Sequence, residues 1–370
     1  MKTRQQFVLA QFVSILLLGA TASAQDGTSS WVKRTKAPHK SEAPPLSPRD
    51  AATETPLRLK GTLQPRNLTT RRTPLGKLLV TPSGEDAAYI AFDQGQYLTA
   101  LRLAKARAKK ADPQAHTLIG RLHAEGLGVA KNTLAAAQWY RRGAELGDIE
   151  AMFALGLILV GSDEVKRDPQ GAGQMFERAA RKGHPYAHYN LALLFLSGNG
   201  KPENPYRAAQ HLEYAARKGI ASAQYDLAAL YEKGVGVDVD AYKSAFWLRK
   251  AAENGLPAGQ FEYAMVLLRG YGFNADRPRA LDFLRAAANN GLASAQNRLA
   301  YVYADGIVGT QPNPKLAAKW RMIARASGLT DSVLDERITS MPDQILAEAR
   351  KEADAFAAGL RGGTAVSRTQ

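Results

Sequence analysis

The chain contains no cysteine among its 370 residues. That excludes disulfides, thiolate-bound zinc, iron–sulfur centres and cysteine nucleophiles together. It also excludes a lipid anchor of the kind attached to a lipobox cysteine. Long apolar runs are missing too. The longest, Phe7 to Ala20, is about 14 residues, against roughly 20 for a spanning helix. Acidic residues are the minority charge, 34 against 49 Lys and Arg, for a net +15. Such an excess ordinarily raises nucleic acid as a partner, so its location matters.

Apolar residues make up 45% of the chain, enough for a large core. They are not spread evenly. Lys2 and Arg4 precede the apolar run, and Ala22-Ser23-Ala24 follows it. This is the pattern of a signal peptide over residues 1–24, cleaved after Ala24. The expectation is an exported, periplasmic protein. Residues 25–84 hold 8 of the 18 prolines, 11 Lys and Arg, and only 4 acids. This composition cannot bury enough surface to offset ordering entropy. The segment reads as a disordered basic tether reaching on the order of 40 Å. Contact with peptidoglycan or an anionic surface is its alternative use. The leader and tether carry nine of the fifteen net charges, which weakens the nucleic-acid reading.

Self-similarity appears from residue 115 onward, with a period of 36. Ala115, Ala151, Ala187, Ala223, Gly259 and Ala295 align. Four residues on stand Ile119, Leu155, Leu191, Leu227, Tyr263 and Leu299, each followed by Gly or Ala. Further apolar residues at offsets seven and eight complete one helix face. The small residue permits close approach of another helix. Gly126, Gly198, Gly234, Gly270 and Gly306 then mark helix ends, with Ser162 the departure. A second helix opens in each unit at Asn132, Asp168, Asn204, Asp240, Asp276 and Asn313, which are good N-caps. Pro169, Pro205 and Pro314 follow, where a missing N–H costs nothing. Trp139, Met175, His211, Trp247, Phe283 and Trp320 are the candidate core residues seven past each cap. Gly147, Gly183, Gly219, Gly255, Gly291 and Gly328 end these second helices.

This pattern resembles the Sel1-like repeat family, relatives of tetratricopeptide repeats. Glu-Gly-Leu-Gly-Val (125–129), Lys-Gly-Val-Gly-Val (233–237) and Gln224-Tyr225-Asp226-Leu227 carry the resemblance. Repeat 2 departs most, because Gly161-Ser162-Asp163-Glu164 lacks the double glycine. The resemblance implies an all-α fold, a right-handed α-solenoid of six repeats over 115–328. Residues 85–114 read as a degenerate N-terminal capping unit and 329–359 as C-terminal capping helices. Residues 360–370 read as a disordered tail. Caps are expected because each repeat has an apolar side facing its neighbour.

By resemblance to tetratricopeptide units, offsets 2, 6 and 9 of the first helices line a concave groove. Offset 2 gives Phe153, Tyr189, Tyr225 and Phe261. Offset 6 gives Leu157, Leu193 and Met265, and offset 9 gives Leu196 and Leu268. Exposed, these nine form an apolar strip suited to a partner segment. The opposing reading packs the aromatics between neighbouring helices, and wheel angles do not separate the two.

Signs of catalysis are sparse. His184 and His188 have metal-compatible spacing, but Pro185 separates them at a helix start and no carboxylate follows within a turn. His211 takes the place of Trp139 and Trp247 and reads as core; His116 and His123 read as repeat positions. No nucleophile elbow, zinc-protease, P-loop or dinucleotide motif occurs. The expectation is therefore no catalysis, no cofactor and no metal. The reading is an adaptor of the cell envelope that binds a protein partner, such as a membrane protein. Regulation of signalling or surface-polymer synthesis is what the resemblance implies for it. The alternative is a cell-wall protein that binds peptidoglycan or β-lactam, or a hydrolase. The family's members of that kind are disulfide-rich, which this chain is not.

Overall fold

The computed structural model describes residues 70–72, 78–80, 86–270 and 275–366, with side chains for 86–270 and 275–359. The leader, the tether apart from two short strands, and the last four residues of the expected tail lie outside the described residues. The chain divides into two compact units, one ending at Asp148 and the next beginning at Ile149.

The first unit opens with a correction to the tether reading. Strand β1 (Thr70–Arg72) pairs antiparallel with β2 (Leu78–Val80), Thr70 opposite Val80. Composition averaged over sixty residues hides the local run Leu78-Leu79-Val80, which favours strand. Helices α1 (Ala87–Asp93) and α2 (Tyr97–Ala108) form a short pair ahead of the first full repeat. Helices α3 (Pro113–Glu125) and α4 (Thr133–Glu145) form the first full repeat. Their core joins Ala88, Ala91, Ala100, Leu101, Leu118, Ile119 and Leu122.

The second unit is an all-α solenoid. Its repeats pair α5 (Ile149–Gly161) with α6 (Pro169–Arg181), and α7 (Pro185–Ser197) with α8 (Pro205–Arg217). They continue as α9 (Ala221–Lys233) with α10 (Ala241–Glu253), and α11 (Pro257–Arg269) with α12 (Arg277–Asn289). The last pairs α13 (Ala293–Asp305) with α14 (Pro314–Ala326). Within this unit, consecutive helices from α5 to α14 pack on one another. Two further helices, α15 (Ser332–Thr339) and α16 (Asp343–Val366), both pack on α14. Helix α16 runs through Val366, so the expected tail from residue 360 is helical for its first seven residues. The Gly362-Gly363 pair weakens a helix without stopping one already propagating. No helix among the described residues is long and apolar enough to cross a membrane.

Caps set the helix boundaries. All six Asn and Asp N-caps accept the backbone N–H three residues on, at 2.8–3.1 Å. The glycines closing the first helices take φ of 62–72°, as a left-handed C-cap requires. At the departure, the Ser162 hydroxyl accepts the N–H groups of Glu164 and Val165. The bond Asp168 N–H to Leu159 C=O then matches Asn132 to His123 and Asp240 to Tyr231 in the other turns. Repeat 2 keeps its turn by side-chain bonding where its siblings use glycine.

Packing corrects one sequence expectation. The deepest second-helix residues lie eight past each cap: Tyr140, Phe176, Leu212, Leu248, Leu284 and Arg321 are all buried. Of the seven-past set, only Trp320 is buried; Trp139, Met175, His211, Trp247 and Phe283 are half-buried. The small residue of the first helix receives the deeper side chain. A Cβ on Gly120 would lie 2.7 Å from Tyr140, and one on Gly156 would lie 2.5 Å from Phe176.

Candidate interaction face

The nine strip residues do not share one fate. Phe153, Tyr189, Leu157 and Leu196 are buried, which corrects their reading as groove-lining side chains. Phe153 stacks on the His184 ring with centroids 4.4 Å apart. The Tyr189 hydroxyl donates to Asp226 Oδ2 of the next repeat at 3.1 Å. Burial and the Asp226 charge push that phenol well above its ordinary range. Neighbour-to-neighbour packing claims these four because aromatic area is worth most when it leaves water. Tyr225, Phe261, Leu193, Met265 and Leu268 remain half-buried and present part of their surface. The surviving strip thus centres on repeats 4 and 5.

There α9, α10 and α11 enclose a cleft of about 370 Å³. Tyr225, Ala229 and Met265 supply its apolar wall. Glu232, Glu262, Lys233 and Arg269 also line it. Burial, and then the nearby Glu232 charge, raise the Glu262 carboxyl above its usual value, with Arg269 opposing less strongly. Burial and the same carboxylates raise the Tyr225 phenol. Glu262 lay outside the sequence reading, because offset 3 holds Leu118, Ala154, Asn190, Asp226, Glu262 and Arg298 and shows no pattern. Spacing alone carried no signal for it.

A polar ladder joins the repeats and was also missed. Gln224, Gln260 and Gln296 each donate from Nε2 to the carbonyl eight residues earlier, at 3.0–3.4 Å. Their Oε1 atoms accept from Asn254, Asn290 and Ser327 respectively. The signal was readable as Gln one place after the aligned small residue, with Asn or Ser thirty or so residues later. In repeat 3, His188 holds the glutamine place. Its Nε2 donates to Ala180 C=O at 3.0 Å, so its Nδ1 accepts from His211 Nδ1–H at 2.9 Å. His211 therefore sits half-buried as a hydrogen-bonding partner, where the sequence suggested plain core. Its ring lies parallel to Phe195, centroids 5.7 Å apart. Burial and the neighbouring His188 push its pKa down to about 4. His184 serves as an N-cap, its Nδ1 accepting from Ala187 N–H. No group of three or more His, Asp or Glu among the described residues is placed to hold a metal.

The Sel1 repeat model matches six consecutive segments: 113–148, 149–184, 185–220, 221–256, 257–292 and 293–320. The chain belongs to the Sel1 repeat family. The matches begin two residues before the period read from the sequence and end eight residues sooner. Among solved structures, a Sel1 repeat protein of Oxalobacter formigenes is 29% identical with a TM-score of 0.59. That match covers 64% of this chain and 94% of the other. A protective antigen of uropathogenic Escherichia coli with an SLR fold is 24% identical with a TM-score of 0.61. It covers 74% of this chain, which spans 62% of that protein, and shows shared fold alone. No curated protein matches the sequence. Sel1 repeats are in general non-catalytic scaffolds for protein interaction, and this chain carries six of them in tandem.

Proposed function

We propose that this Sel1 protein is an adaptor of the cell envelope that docks a segment of a membrane or envelope protein on its first-helix face. The carrying observation is the half-exposed strip of Tyr225, Phe261, Met265 and Leu268 beside the cleft of repeats 4 and 5. Apolar surface left partly open between otherwise well-packed repeats suits a partner helix or extended segment. The leader pattern of residues 1–24 supports an exported, periplasmic location, and the basic tether supports attachment near an anionic surface. Regulation of signalling or polymer synthesis is the role that an adaptor in this compartment would serve.

The test is in-cell crosslinking with the full chain and with a variant carrying Tyr225→Ala and Phe261→Ala. Wild type is expected to capture one defined protein, and the variant to lose at least tenfold of that signal while its helical circular dichroism is unchanged. Equal capture by the variant overturns the reading. So does recovery of muropeptides in place of a protein.

A further inference from the structure

We infer that the cleft between repeats 4 and 5 is a subsite for a guanidinium or ammonium group, the side chain of an Arg or Lys in the docking segment. The inference rests on the adaptor reading and names the chemistry of its partner. Three features carry it. Glu232 comes from the end of α9 and Glu262 from α11, so two carboxylates of different repeats face one cleft of about 370 Å³. No ion pair among the described residues engages either one. Two basic residues also line the cleft, but Lys233 has another interaction and Arg269 is largely solvent-exposed. At Glu262 the repulsion from Glu232 outweighs the attraction of Arg269. The two carboxylates of the cleft thus stand without an ion-pair partner, although Lys233 and Arg269 lie in the same lining.

The remaining lining fits the stem of a long basic side chain. Tyr225 in the lining brings an aromatic ring suited to cation–π contact. Met265, Ala228 and Ala229 offer apolar surface for methylenes, as long cationic side chains prefer. Arginine suits the site better than lysine, because its planar fork can serve both carboxylates while it stacks on the ring. The corresponding Tyr189–Asp226 junction one repeat earlier is closed by its own hydrogen bond and is buried. The open junction is thus set by the chemistry of offset 3 and not by the repeat itself.

The full chain, labelled with ¹³C-methyl methionine, gives six methionine positions, of which Met265 alone lines the cleft. N-acetyl-arginine amide is titrated in, with N-acetyl-citrulline amide as its uncharged isostere and N-acetyl-glutamate amide as the acidic control. Expected is a saturable shift of the Met265 methyl with arginine at millimolar concentration, weaker with N-acetyl-lysine amide, and none with citrulline or glutamate. A variant carrying Glu232→Gln and Glu262→Gln should weaken the arginine response at least tenfold. Unmoved Met152 and Met322 signals in the variant would show that its fold is intact. Should the double variant misfold, Glu232→Gln alone, at an exposed position, should still weaken the response several-fold. An equal response to citrulline, no response to arginine, or an undiminished response in the variants overturns the subsite. The titration needs no partner, so its failure leaves the adaptor reading to the crosslinking result. Loss of capture in Tyr225→Ala/Phe261→Ala with a normal arginine response in wild type would instead separate the two in the other direction.

Discussion

At Gly156 the chain has room for a hydrogen and nothing larger, since a Cβ there would lie 2.5 Å from the Phe176 ring. Gly156→Ala is expected to cost about 1–3 kcal/mol of stability, as overpacking usually does. Urea denaturation should show it, and Phe176→Leu in the same chain should recover part of the loss. The requirement for a small residue was legible in the column Gly120, Gly156, Ala192, Ala228, Ala264 and Ala300. Which side chain enters the gap was not, because offsets seven and eight past the cap are both largely apolar and adjacent on the helix. Ala111 is the opposite case. It stands 36 residues before Gly147, in the same helix-closing place, with φ 58° and an exposed side chain. The left-handed region costs an L-residue roughly 1–2 kcal/mol that glycine avoids. Ala111→Gly is therefore expected to raise stability by about 1 kcal/mol, read as an upward shift of the denaturation midpoint.

Helices α7 and α8 are joined by His188 and His211, where repeats 4 to 6 use a glutamine ladder. The sign of their pH dependence follows from direction. His211 is pushed from 6.5 down to about 4 in the folded chain by burial, then by His188 and Arg207, with Glu177 opposing. His188 is lowered by burial and by His184, with the Ala180 carbonyl bond opposing. The unfolded chain therefore binds protons first as pH falls. Their contribution to stability is complete above pH 6.5 and is lost between there and about 4. After solvent screening, His211 should account for about 1–2 kcal/mol of that loss. The stability gap between wild type and His211→Leu should shrink correspondingly between pH 7 and 4. A constant gap would mean that His211 takes up its proton over the same pH range in the folded and the unfolded chain. Metal-type spacing in the sequence pointed at His184 with His188. The tertiary pair is His188 with His211, because residues that face each other across two helices have no fixed separation along the chain.

For the molecule as a whole, α16 closes the C-terminal side of the second unit. It covers α14, where Phe356 meets Trp320 edge-on at 5.5 Å and Glu352 pairs with Lys315 and Lys319. Arg321, 1% exposed, makes a bidentate pair with Asp335 of α15 at 2.7 Å, which ties α15 to the last repeat by contacts of its own. Removing residues 341–370 should uncover Trp320 and its neighbours and drive self-association in sedimentation, while the repeat helices persist. Local chemistry was enough for the sequence alone to determine the repeats. Caps, stops and the 3.6-residue apolar period are short-range properties, and each recurs often enough to be unmistakable. The cysteine-free composition likewise determined that helix packing, not covalent staples, holds the chain. The tertiary structure decided which apolar side chains stay open. Phe153 and Tyr189 carry the same periodic position as Tyr225 and Phe261, yet the first two are buried and the second two are not. That difference arises from what the next repeat places opposite each ring, a contact between residues more than thirty apart. It also brought Glu232 and Glu262 into one cleft, an electrostatic fact with no period to announce it.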